Sequence, residues 1–484
     1  MAGILFPANE KGDRSTTSFN KAVYCAMAAA LSRKDLDDRI KSEKDWRHQY
    51  STHLDQLVES LFAVKDVSLL QRVLHTGLEK VRGMEFESSD GKILPLSQAV
   101  AAPTSKYQTI KVHGTGTPKT SFELPYKGQK LTGSALEAQC DQWSNGPMEP
   151  DAASAIKSGS QQLAALQGRT FLVLGANSEL GPLRPLLEAG ATVAAVATKR
   201  PKRWKELLAF ARQSAGTLLV PCPAGQEVNN DEDLAAVAGA DLVSETPQVV
   251  EWLLRCGRAA DGQVTLGTYL YADGEANVRL TAASDYAVEA LKSLGKEKVS
   301  FAYLASCSTS QSIPQEAVKA QEVNFQASGQ WSKTFGKRQV CTPLDGSRCF
   351  LRAFEVLQGP NYALAQLTRQ WRAALLHSEG FLVSSPLAPM CRTESVVHNP
   401  TMAVVLEGVA HFPPQEAYDP DAGRMAMFAI LLSDLTEPVP ELASPMLITT
   451  RKAFHSGIWR TPFVMASLGK TTWFLGKVAP KKAP

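Results

Sequence analysis

The chain carries no excess charge of either sign. Its 51 Lys and Arg face 48 Asp and Glu, a formal net charge of +3, so it lacks the cationic field of a nucleic-acid-binding surface and no nucleic-acid partner is expected. Cysteine pairs at metal or redox spacing are also missing. Cys25, Cys140, Cys222, Cys256, Cys307, Cys341, Cys349 and Cys391 include no Cys-x-x-Cys, which excludes the common zinc and dithiol patterns and suggests reduced thiols. His377, His398, His411 and His455 form no His-Glu-x-x-His, so no metal site is expected. Long apolar runs are absent too. The best candidate, Arg424–Leu435, is too short and too polar-flanked to cross a bilayer. The start, Met1–Lys11, lacks the basic residues and apolar run of a secretory signal, and Gly3 stands one place too late for myristoylation. The expected location is the cytoplasm or another reducing intracellular compartment. No repeat of solenoid period is visible.

What is present is the composition of a globular protein: 484 residues, 44% apolar and 20% charged, enough for two or three domains. One stretch stands out. Thr170–Gly181 reads as a buried apolar strand and a glycine turn, followed by a short helical segment and a second apolar strand at Thr192–Val196, the size of a βαβ unit. The alternation continues with strands predicted at Thr217–Pro221, Gln263–Tyr271 and Val299–Ala305. Helices are predicted over Arg203–Ala215, Asp231–Ala238, Pro247–Cys256 and Val288–Leu294. Alternating strands and helices imply an α/β fold with a doubly wound, Rossmann-like parallel sheet. Ligands of such sheets bind at the carboxyl ends of the strands.

The spacing Gly175-Ala-Asn-Ser-Glu-Leu-Gly181 resembles the opening of the short-chain dehydrogenase/reductase family, whose pattern is Thr-Gly-x-x-x-Gly-x-Gly. The resemblance covers about residues 168–395. It implies that Gly175, Asn177, Ser178 and Gly181 cradle the cofactor diphosphate, although Glu179 replaces the family's second glycine. The basic residues Lys199 and Arg200, just past the second strand, imply NADP, with a basic solvated loop as the alternative. Asp273 and Gly274 fall at the fourth strand's end, where the family holds the cofactor's adenosine part. Ser306 or Ser308 matches the family's catalytic serine by position, and Lys319 its catalytic lysine. Gln315 stands where the family has its tyrosine, so the family's acid/base pair is incomplete. Phe381–Ser384 is the expected sixth strand and Pro386–Thr393 the loop after it, with Arg392 and Thr393 either facing the ligand or serving an ordinary loop.

Residues 1–84 are predicted to form a helical N-terminal region, with apolar stripes such as Phe19, Val23, Met27 and Leu31. Residues 85–167 read as an irregular wrapping segment and lead-in helix, with strand-like pieces at Tyr107–Val112 and Ser121–Leu124. Residues 168–400 are the nucleotide-binding domain, and 401–484 a C-terminal extension packing on it, ending in a frayed Lys-Lys-Ala-Pro tail. Asn361 is a candidate helix cap. Cys307 reads either as a nucleophile or as a buried structural thiol, and Trp459 and Arg460 either as anchors for a ligand or as packing. Two functions follow. One is an atypical NAD(P)-binding oxidoreductase with a small-molecule substrate. The other is a catalytically inactive protein that keeps the sheet as a scaffold, with the N-terminal helices as a docking surface for a protein partner.

Overall fold

The computed structural model describes residues 3–102, 105–354 and 356–478; the expected tail at residues 481–484 lies outside them. Seven strands form the main sheet: β1 (Tyr107–His113), β2 (Thr170–Leu174), β3 (Thr192–Val196), β4 (Thr217–Pro223), β5 (Val264–Thr268), β6 (Val299–Tyr303) and β7 (Val383–Ser384). Their spatial order is β7-β6-β5-β2-β3-β4-β1. β2 through β7 run parallel, and β1 pairs antiparallel with β4 from Tyr107↔Pro223 to His113↔Thr217. The protein is therefore α/β with a mixed, mostly parallel sheet. The pattern predicts an all-parallel sheet and places Tyr107–Val112 in a wrapping segment. Lying far ahead of the βα alternation, that stretch gives no local sign that it closes the sheet edge.

The strands read as continuous apolar runs because both faces are covered. On β2, Phe171 and Val173 enter one core with helices Pro150–Gly159, Leu183–Glu188, Pro201–Gln213 and Pro420–Thr436. Leu172 and Leu174 enter the opposite core. The second core holds helices Thr246–Ala259, Glu275–Lys292 and Pro360–Ser378, together with the N-terminal helices Thr16–Ala30, Lys34–Ser42, Trp46–Ala63 and Val67–Arg82. The predicted N-terminal helices therefore pack with the sheet in one core.

Two helices differ from their predicted extents. The helix expected over Val288–Leu294 spans Glu275–Lys292. Its first turns bury Asn277, Thr281, Ser284 and Asp285, polar residues that hide its stripe. Thr281 and Ser284 donate to their own helix, while Pro360–Ser378 supplies donors to Asn277, Thr281 and Asp285, Arg372 making a two-point ion pair with Asp285 at 2.6 and 2.8 Å. The predicted lead-in helix ends at Gly159 and continues as a short 3-10 turn at Leu163–Leu166. At the Pro360 helix the cap is Gly359, whereas Asn361 accepts a 2.9 Å hydrogen bond from Asn20.

The C-terminal region closes over the first core. His455 is fully buried, and its Nδ1 accepts from the Gly457 N–H, so the ring proton sits on Nε2 and is donated to Glu149 at 3.0 Å. Arg460 donates to the same Glu149 oxygen at 3.1 and 3.2 Å. Trp459, 1% exposed, stacks on His455. Both Trp459 and Arg460 thus serve the chain's own packing.

Candidate site at the carboxyl ends of the strands

Strand order reverses between β2 and β5, and the loops that follow these strands meet there. The β2 loop opens on Gly175, whose φ is +81°; a Cβ at that residue would lie 2.7 Å from the Tyr269 carbonyl oxygen. Only glycine suits both the conformation and the contact. On the other side of the reversal, β5 leads through Tyr269–Asp273 to Gly274, with φ +58°, which caps Glu275–Lys292 without a side-chain cap bond. Tyr271 donates to Asp273 at 2.8 Å.

The β2 loop spends most of its backbone donors internally. Gly175 and Ala176 donate to the Val196 carbonyl at 3.1 and 3.0 Å, Ser178 to Gly175 at 2.9 Å, and Gly181 to Ser178 at 3.1 Å. The helix after it is only Leu183–Glu188, entered through Pro182 and containing Pro185, and proline supplies no N–H. Asn177 is exposed. Glu179 turns across the loop: its carboxylate accepts the Glu394 N–H at 2.7 Å, and its carbonyl accepts from Arg424 at 3.0 Å. Leu180, Pro182 and Tyr269 meet Met427, Phe428 and Leu431 of the Pro420 helix around a small cavity. A diphosphate needs free N–H groups and a helix dipole in this place. In this loop four of the seven N–H groups are already bonded and the following helix is short.

The basic pair is divided. Lys199 is 2.8 Å from Glu245, which also takes Lys106 at 2.5 Å and the Tyr107 hydroxyl at 2.5 Å. These donors outweigh burial and lower the Glu245 carboxyl to about 2. Lys199 is thereby tied into a junction between β1 and the start of Thr246–Ala259. Arg200 is exposed and precedes the helix Pro201–Gln213.

Beyond β6 the chain brings hydroxyls together. Ser306 and Ser308 are 2.7 Å apart, and Ser308 donates to Gln358 at 2.9 Å. Tyr362, from the helix Pro360–Ser378, lies beside both serines; burial raises its phenol above the ordinary value, and the serine hydroxyls oppose the rise. Lys319 is not part of this group. It is exposed on the helix Gln315–Ala327, which packs on the hairpin of Gln311–Pro314 and Arg348–Leu351. Cys307 is buried, and desolvation pushes its thiol up to about 12, the opposite of an activated nucleophile. Arg392 is held by Glu407 at 3.2 Å and by the Ala417 carbonyl, so it serves its loop. No cluster suited to a metal ion occurs among the described residues.

Under the hydroxyl group lies a polar stripe. Tyr362, Gln366 and Arg369 fall at i, i+4 and i+7 on one face of the Pro360 helix. Arg369, 6% exposed, donates through Nη2 to Asn277 at 2.7 Å and to Thr281 at 3.0 Å. The Arg369 Nε, Asn277 Nδ2, Gln366 Oε1 and the nearby Tyr303 hydroxyl are buried without hydrogen-bond partners. Tyr362, Gln366, Arg369 and Asn277 are the residues that sequence reasoning missed. For the three on the Pro360 helix the available signal was the polar i, i+4, i+7 spacing.

Comparison with protein-family models, curated protein sequences and solved structures finds no match in any of the three. The site's chemistry therefore rests on its own geometry. No helix among the described residues is long and apolar enough to cross a membrane.

Proposed function

We propose that the chain is a Rossmann-like, doubly wound protein whose dinucleotide crevice is closed by its own C-terminal region, and that it works as a binding or scaffold protein rather than as an oxidoreductase. Strand order and the helices on both faces support the fold assignment. The observation that carries the function is the Glu179 carboxylate held by the Glu394 N–H across the loop. That contact places a negative charge and a covering segment where a diphosphate would need bare backbone. The eight free cysteines fit a reducing compartment, which we infer as the location.

The test is calorimetric titration with NADPH, NADH and their oxidised forms. It compares the native chain, a Lys199→Ala/Arg200→Ala variant and Glu179→Gly. The native chain is expected not to bind, and Glu179→Gly to gain measurable affinity. Micromolar NADPH binding by the native chain, weakened by the basic-pair change, would overturn the proposal.

A second reading is an atypical NADP-dependent oxidoreductase acting on a small molecule. Its support is the meeting of Ser306, Ser308 and Tyr362. Burial keeps the Tyr362 phenol protonated, so in that reading its hydroxyl donates a proton to substrate while the serines orient it. The micromolar binding just described would favour this reading.

A further inference from the structure

The buried charge of Arg369 has no visible counterpart. Arg372, three residues on, is matched by Asp285 and Glu289, and Arg82 joins the same two carboxylates. Among the described residues no carboxylate pairs with Arg369. Its guanidinium meets the Asn277 amide and the Thr281 hydroxyl, and the phenols of Tyr362 and Tyr303 lie close by. An uncompensated buried cation is costly, and proteins keep one where an anion comes to meet it.

The surroundings are built for such an anion. Gly274 leaves the N terminus of the 18-residue helix Glu275–Lys292 without a side-chain cap, so its first N–H groups and dipole face outward. Asn277, fully buried in that first turn, presents an unpartnered Nδ2 donor, and Arg369 an unpartnered Nε. These side-chain donors are independent of the helix end. The loop leading into this helix reaches the surface: Tyr271 is 50% exposed, and Asp273 and Gly274 are exposed. Its charge also discriminates. Asp273 and Glu275 stand at the mouth, Glu275 partly offset by Arg279, so a dianion meets about twice the repulsion that a monoanion does.

We propose that Arg369, Asn277 and the N terminus of Glu275–Lys292, with Tyr362 above them, form a binding site for a small organic carboxylate. The site uses none of the residues of the Gly175–Gly181 loop, so it stands whether or not that loop accepts a dinucleotide. The carboxylate supplies the counter-charge to Arg369 and accepts from Asn277, while Tyr362, Ser306 and Ser308 contact the rest of the molecule.

The test is calorimetric titration of the full chain with pyruvate, benzoate and formate, and separately with inorganic phosphate. Saturable binding of at least one carboxylate, with weaker binding of phosphate, is expected. Arg369→Met is expected to weaken that binding about tenfold or more through loss of the charged hydrogen bonds. Asn277→Asp places a carboxylate beside the guanidinium. It is expected to fold with a raised Tm and to abolish binding, which keeps the test decisive if Arg369→Met does not fold. Failure of all three carboxylates to bind, preference for phosphate, or carboxylate binding that survives in Asn277→Asp would overturn the proposal.

Discussion

The Glu179 carboxylate and the Glu394 backbone N–H, 215 positions apart in the chain, are joined at 2.7 Å across the mouth of the β2 loop. A single side chain thus fastens the segment after β7 to the residue position where a phosphate-binding loop would carry glycine. Glu179→Ala is expected to lose about 1 kcal/mol and to speed proteolysis within 394–411. Urea denaturation and limited digestion check this; an unchanged digestion pattern would show that the contact does not hold the segment.

Asp285 sits 3% exposed against Arg372, itself 1% exposed. Removing Asp285 leaves Arg372 with Glu289 as its only carboxylate among the described residues, so Asp285→Ala is expected to cost about 3 kcal/mol, the low end for breaking a buried pair. Replacing both, as Asp285→Leu/Arg372→Met, is expected to recover much of that loss. The double-mutant cycle by urea denaturation tells whether the pair or merely the packing matters.

Asp55 gives the protein a pH dependence. Burial, opposed by the Ser310 hydroxyl bond and the nearby Arg352, raises its carboxyl from 3.8 to about 7. The folded state therefore holds a proton that the unfolded chain releases at lower pH. Stability from this group is full below about pH 4 and is lost progressively as pH rises to about 7. The expected loss is about 4 kcal/mol. Asp55→Asn removes the dependence, so its unfolding midpoint at pH 8 should exceed that of the native chain, while at pH 4 the two should agree. A native midpoint that does not fall across that range would refute the assignment.

Gly408 and Gly476 hold the last helix, Met465–Val478, against Pro400–Gly408. A Cβ at Gly408 would lie 1.9 Å from the Thr472 carbonyl oxygen, and one at Gly476 2.1 Å from that of Val404. Gly408→Ala is expected to pry the two helices apart and raise amide hydrogen exchange over 465–478, leaving exchange in β2–β6 unaltered.

The amino-acid sequence by itself determined the elements that carry a local period. The apolar runs at Thr170–Leu174 and Thr192–Val196, the glycine turn between them and the fourfold stripe of Thr16–Ala30 are legible because burial repeats at the spacing of the backbone. The same local signal placed Ser306, Ser308 and the loop Gly175–Gly181 at strand ends. Tertiary structure alone decided the rest, because the deciding contacts join residues far apart in the chain, 46 positions for Lys199 and Glu245 and 92 for Arg369 and Asn277. It brought Tyr107–His113 to the sheet edge, and bound Lys199 to Glu245, away from any ligand. It also set Tyr362 beside Ser306, across a gap that family spacing argued against. Arg369 and Asn277 show why such a site stays hidden. Each reads alone as a polar residue on a helix face. Only the packing of two helices against one another turns them into a buried cation and an unpartnered donor.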